Sequence, residues 1–182
     1  MHCRAPSPTR LALTLASLGA CLTACPQPVD PGLTPGGEFE RDPTCTLTGT
    51  LTIEIGEGSG GFTPLAANAS PEVHYGSQGA QHIFVGVRVS GLALDRYDTL
   101  RTLLTWYPAS ECPTLGEPCQ GEYYGYNEWV LGDVAPLEIV DDDTIEQGDL
   151  RLVLEGGGDI IVQAEVEDPC GRRGLAQLPM SQ

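Results

Sequence analysis

Several stretches of this 182-residue chain place an apolar side chain at every second position. Successive side chains of an extended strand point to opposite faces, so a period of two confines such a stretch to a sheet with one buried face. Leu47, Gly49, Leu51, Ile53 and Ile55 alternate with Thr46, Thr48, Thr50, Thr52 and Glu54. Ile83, Val85, Val87 and Val89 alternate with His82, Phe84, Gly86 and Arg88. Leu150, Leu152 and Leu154 run into Gly156, Gly157 and Gly158, and Ile160, Val162, Ala164 and Val166 follow with the same spacing. The last two runs read as a hairpin closed by a glycine turn. Leu100 to Tyr107 and Glu128 to Val134 are two further strand candidates.

No stretch carries a 3.6-residue period, and 15 prolines and 23 glycines punctuate the chain at short intervals. The pattern predicts an all-β domain from 45 to 170, a single antiparallel β-sandwich of seven or eight strands, Ig-like or jelly-roll-like. A barrel is the alternative architecture. Residues 171–182 are expected to be a loose tail.

The first 44 residues belong to a different regime. Arg4 and Arg10 precede a short apolar run from Leu11 to Ala20, and small residues then lead to Cys25, the three parts of a secretory signal. That run is too short to span a bilayer. The segment Leu22-Thr23-Ala24-Cys25 resembles the lipobox of bacterial lipoproteins. The resemblance covers residues 1–25 and implies a signal peptide over 1–24, removed when the Cys25 sulfur receives a diacylglycerol. Cys21 follows Leu18-Gly19-Ala20, which lacks the small middle residue of such a box. Pro26, rather than Asp, after the lipidated cysteine implies the outer membrane, with the domain facing the periplasm or the cell surface. Residues 25–44 form a tether, rich in proline (26, 28, 31, 35 and 43), whose flexible span is roughly 25 Å.

All 25 acidic residues lie after Cys25, against seven arginines and no lysine, so the mature chain carries a net −18. That balance excludes nucleic acid as a partner, since such binding draws its affinity from cationic contacts with phosphate. It also disfavours direct docking on anionic headgroups, leaving the lipid on Cys25 as the contact with the membrane. Without Cys3 and Cys21 of the signal and the lipidated Cys25, four cysteines remain. An even number in an oxidising compartment reads as two disulfides with three pairings open. Cys112 with Cys119 and Cys45 with Cys170 is the favoured set. The second bridge closes a long loop and is worth on the order of 4 kcal/mol in the chain-entropy model. No Cys-x-x-Cys pair supports the rival reading of a zinc site.

Candidate chemistry is sparse. Gly56-Glu57-Gly58-Ser59-Gly60-Gly61 satisfies G-x-G-x-x-G, but Phe62-Thr63-Pro64 follows where a dinucleotide fingerprint requires a helix, so the segment reads as a flexible loop. If Gly76 to Ala80 turns a hairpin, the register opposing Val73 to Ile83 also opposes His74 to His82. Both imidazoles then sit on the outer face, with Cβ atoms about 5 Å apart. Such a pair suits Zn²⁺ or Cu²⁺ when a third ligand joins. Asp141, Asp142, Asp143, Glu146 and Asp149 present oxygen ligands of the kind Ca²⁺ takes, without EF-hand spacing, and read first as a solvated acidic loop. No cofactor is otherwise expected. Trp106, Tyr107, Tyr123, Tyr124, Tyr126 and Trp129 gather around the Cys112–Cys119 loop. With the tryptophans in the core, Tyr123, Tyr124 and Tyr126 are left as a binding surface for a sugar ring or a peptide side chain.

No nucleophile elbow, H-E-x-x-H or Cys/His pattern occurs, so an enzyme is the minority expectation, with a carboxylate pair placed by the fold as its remaining form. The stretch Gly76-Ser-Gln-Gly-Ala-Gln-His-Ile-Phe-Val-Gly-Val-Arg-Val-Ser-Gly91 resembles a segment of uncharacterised lipoproteins of myxobacteria. It implies no activity. The expectation is a lipid-anchored envelope protein that binds or scaffolds an envelope or extracellular protein or glycan. The alternatives are a metal-binding envelope protein and a carbohydrate-active or carbohydrate-binding domain.

Overall fold

The computed structural model describes residues 39–77, 79–119, 123–133 and 136–181. The signal, Cys25 and the tether up to residue 38 lie outside the described residues. Ten strands occur in chain order: β1 (Thr52–Glu57), β2 (Thr63–Pro64), β3 (His74–Tyr75), β4 (Gln81–Ser90), β5 (Leu100–Pro108), β6 (Gly125–Leu131), β7 (Glu138–Ile139), β8 (Thr144–Leu154), β9 (Ile160–Glu167) and β10 (Arg173–Met180). Every pairing between them is antiparallel. One sheet runs β2-β1-β4-β8-β7, with β3 beside the start of β4, and the other runs β10-β9-β5-β6. Two antiparallel sheets packed on each other make the chain an all-β sandwich, as the alternation predicts.

The period-two residues account for the packing. Ile83, Val85, Val87 and Val89 of β4, with Ile145, Leu150, Leu152 and Leu154 of β8, face Leu100, Leu104 and Trp106 of β5 and Val162, Ala164 and Val166 of β9 across one continuous core. Each such side chain fully buried is worth about 1.5–3 kcal/mol relative to exposure.

Four expectations are corrected. Leu150–Leu154 and Ile160–Val166 are not a hairpin, because β8 and β9 belong to different sheets and the triglycine connection crosses the sandwich. Each run has an apolar face to bury, and the core offers both faces only when they lie in opposite layers. Residues 171–182 are not a loose tail. Arg173–Met180 pairs with β9 from Arg173↔Glu167 to Met180↔Ile160, and Leu178 and Met180 are buried. The first strand begins at Thr52 rather than near Cys45, since Gly49 turns the chain with φ +108° and Leu51 is the first residue to bond the sheets, its N–H donating to Arg173 O. The tether ends before residue 44: the Arg41 guanidinium pairs with Glu167, and Asp42 N–H donates to Pro169 O at 2.7 Å.

Both favoured disulfides form. Cys45–Cys170 spans 125 residues with Cα atoms 5.2 Å apart, and Cys112–Cys119 spans seven with Cα atoms 4.7 Å apart. The first lies at the end of the sandwich where β5 starts and β9 finishes, and where residues 41–45 join the domain. Beside it a buried network closes the β9–β10 turn. Asp168, with no exposed surface, accepts from Arg172 Nε at 2.7 Å and from Tyr97 Oη at 2.9 Å.

The register pins the second disulfide to the opposite end. β5 finishes there, β6 and β9 start there, and β4 starts there in the other sheet. The two ends are therefore distinct in chain topology, one joined to residues 41–45 and the other carrying the Cys112–Cys119 loop, β3 and the start of β6.

Candidate functional site

The site is best described as the end of the sandwich remote from residue 45. After β5 the chain makes a 3-10 turn over Ala109–Glu111 and folds back over the outer face of its own sheet. Cys112 and Cys119 cover Tyr107 and Ile161 there, forming a second small apolar cluster. Gln163 and Gln177, register partners on β9 and β10, hold the loop by polar contacts. Gln163 Oε1 accepts from Cys119 N–H at 3.0 Å, and Gln177 accepts from Gly116 N–H and donates to Glu117 O, both at 2.7 Å. These two glutamines were missed by sequence reasoning. Their signal is an uncharged polar residue at an outward position of two adjoining strands.

Beyond that loop the tyrosines separate by role. Trp106 is buried, as expected, and its Nε1–H donates to Val153 O of the facing sheet at 2.8 Å. Gly125 permits this approach, since a Cβ there would lie 2.5 Å from the indole. Tyr124 stacks on Trp106, with ring centroids 5.1 Å apart and planes inclined by 25°. Tyr124 remains 46% exposed and Tyr123 55%. Tyr126 leans on Tyr123 at 5.6 Å and donates its hydroxyl proton to Glu128 at 2.7 Å. Burial and then that bond to a carboxylate push the Tyr126 phenol up to about 12. Glu128 is held below the usual carboxylate range by Tyr126 and, after the opposing effect of burial, by Arg101. The tyrosines therefore form two pairs, Tyr124 on the core-facing Trp106 and Tyr123 on Tyr126, whose register partner Thr105 puts it on the outer face of the sheet. Trp129, expected in the core, is only partly buried against it.

The two histidines meet as the hairpin register requires. His74 opposes His82 and Tyr75 opposes Gln81, with Gly76 N–H donating to Ala80 O at 2.8 Å across the turn. The imidazole centroids are 5.7 Å apart with planes inclined by 26°. The Phe84 ring meets both edge-on, at 5.0 Å from His74 and 5.3 Å from His82. Burial first, then the Arg151 charge and His74, lower the His82 pKa. His74 Nε2 is buried without a hydrogen-bond partner among the described residues, and Glu72 Oε1 lies 3.9 Å away. Among those residues no three His, Cys, Asp or Glu side chains stand grouped around a common point.

Two other sequence candidates dissolve into structure. The Gly56–Gly61 segment is pinned rather than flexible. Gly58 N–H donates to Phe84 O at 3.0 Å, Gly58 O accepts from Asp149 N–H at 2.7 Å, and Gly60 N–H donates to the Asp149 carboxylate at 3.0 Å. Asp149 can do this because Gly148 and Asp149 together oppose Gly86 in a β-bulge, with Asp149 at φ +56°. Phe62 then covers Gly56 and Gly86, whose Cβ positions would lie 2.9 and 3.0 Å from its ring. The five carboxylates near 141–149 are likewise dispersed. Asp141 caps its own turn, accepting from Asp143 N–H, Glu146 binds Arg88 Nε at 2.7 Å, and Asp149 serves the bulge.

A carboxylate pair does share a shallow depression on the outer face of the β9 sheet, lined by Arg101, Leu103, Glu165, Glu167 and Arg173. Glu167 is bound by Arg41 and Arg173, and Glu165 accepts from Gln163 at 2.9 Å, so both acids are already committed.

No protein-family model matches the sequence, and no curated protein is recognisably similar to it.

Proposed function

We propose that the chain is a lipid-anchored envelope protein, tethered to the bacterial outer membrane through Cys25, whose sandwich is a non-catalytic binding or scaffolding module for an envelope or extracellular protein or glycan. One observation carries the reading. Tyr123 and Tyr124 expose ring area, Tyr124 backed by the buried Trp106, at the end of the sandwich opposite the one joined by residues 41–45. An aromatic face on a rigid backing loses little conformational freedom on binding and stacks on a sugar ring or a flat peptide side chain. Metabolic labelling with a fatty acid tests the anchor: label is incorporated by the protein and not by its Cys25→Ser variant. A glycan array, followed by affinity selection from envelope extracts, tests the module. A ligand whose binding is unchanged in Tyr123→Ala and Tyr124→Ala would remove the platform from the reading.

A further inference from the structure

The histidine pair supports an inference independent of the tyrosine surface. His74 and His82 are the only histidines after His2, and the β3–β4 register brings both to one spot on the outer face of the sheet. Phe84 packs edge-on against each ring and limits their rotation. A merely structural pair would use its nitrogens in hydrogen bonds. His74 Nε2 is instead buried without a partner among the described residues, an arrangement that costs about 1–3 kcal/mol and that a bound cation relieves. Glu72 ends 3.9 Å from that nitrogen, and its side chain is 71% exposed and free to rotate toward it.

We propose that His74 and His82 chelate one borderline divalent transition-metal ion, copper in preference to zinc, with Glu72 swinging in as third ligand and water completing the shell. Two metal–nitrogen bonds of about 2.0–2.1 Å need nitrogens about 2.9 Å apart at the right angle of tetragonal Cu²⁺ and about 3.3 Å apart at the tetrahedral angle of Zn²⁺. Reaching that spacing from centroids 5.7 Å apart takes a rotation of the two rings within the room Phe84 leaves them. Imidazole donors select against Ca²⁺ and Mg²⁺, and the Irving–Williams order puts Cu²⁺ ahead of Zn²⁺. The ion would also staple β3, only two residues long, to β4.

The test uses the purified protein without a polyhistidine tag and with both disulfides intact. It is titrated with Cu²⁺ and with Zn²⁺ by calorimetry and, for Cu²⁺, by electron paramagnetic resonance. One Cu²⁺ per chain with two coupled nitrogens is expected, with weaker Zn²⁺ binding. His82→Gln and His74→Gln should each lose more than the ~10–100-fold that a supporting residue outside the ligand shell is worth, and Glu72→Gln should lose less. Absence of saturable binding overturns the proposal, and so does binding as tight in the two histidine variants as in the wild type, which would assign the metal to the acidic surface. Should a variant fail to fold, the wild-type spectrum decides alone: a signal without two coupled nitrogens refutes the pair as ligands. Hydrogen exchange adds a further readout, with amides of residues 74–82 slowing on Cu²⁺ addition, and no change there counts against the staple.

Discussion

The two ends of the sandwich carry one disulfide each and use it differently. At the end joined by residues 41–45, Cys45–Cys170 stands among groups that satisfy one another: Arg41 and Arg173 on Glu167, Arg172 and Tyr97 on Asp168. At the far end, Cys112–Cys119 braces a loop, and the same end carries exposed tyrosines and an imidazole nitrogen without a hydrogen-bond partner among the described residues. The same covalent bond closes the fold in one place and presents side chains in the other. The separation is not absolute, because Ile139 and Val140 are exposed near the first end, beside the acidic turn at Asp141.

The contrast predicts a graded series of stability effects. Replacing Cys45 and Cys170 by serine should cost about 4–5 kcal/mol, since that bridge closes by far the longer loop, and guanidinium unfolding with m fitted for each protein measures it. A loss below about 1 kcal/mol would show that the network around Asp168 suffices by itself. Asp168→Asn should cost about 3–5 kcal/mol in the same assay, because Arg172 would keep a buried charge without its counter-ion. Removing Cys112–Cys119 should cost less, about 2–3 kcal/mol for so short a loop, while weakening ligand binding at the tyrosines more than Cys45→Ser/Cys170→Ser does. If binding falls equally in both, the division between the ends is wrong. Tyr124→Ala should lower stability by only about 1 kcal/mol, the scale of one aromatic pair.

The smallest effect is on pH dependence. The Tyr126 phenol titrates higher folded than unfolded, so its contribution is complete below about pH 10 and lost as pH rises toward about 12. Glu128 has the opposite sign: its depressed pKa contributes above the ordinary carboxylate value and is lost as acid protonates it. Tyr126→Phe should reduce the alkaline loss in a melting-temperature profile, leaving the share of Tyr97, whose phenol burial also raises. A profile unchanged by that substitution would separate the phenol from the carboxylate.

Much of this was legible because it follows from local periodicity. His74 takes His82 as its partner in the register that keeps Ile83 on the buried face, so the histidine pair is legible in the alternation alone. The even cysteine count implied two disulfides with three pairings open, and the favoured pairing is the one that forms. What escaped depends on which layer a strand joins. Leu150–Leu154 and Ile160–Val166 have the spacing of a hairpin whether or not they pair, and nothing in Gly156–Gly158 says that the chain crosses the core there. Residues 173–180 were lost for the related reason that Arg-Gly-Leu-Ala-Gln-Leu-Pro-Met alternates poorly, with Pro179 inside a strand whose outer edge meets single backbone groups of Leu51, Asn68 and Ala69 rather than a paired strand. The carboxylates of 141–149 looked like one cluster because sequence proximity hides that strand β8 sends them to different partners.

The position of Cys45–Cys170 has a mechanical consequence. Tension along the N-terminal segment reaches Cys45 before β1, and from there it crosses a covalent bond to the β9–β10 turn. Strand β1 pairs only through hydrogen bonds and would otherwise be peeled from β4 one residue at a time. With the bridge intact the load instead enters the second sheet, where eight register pairs join β9 and β10. A reducing agent should therefore lower the force at which a surface-held molecule unfolds far more than it lowers the force needed to rupture contacts at the tyrosines.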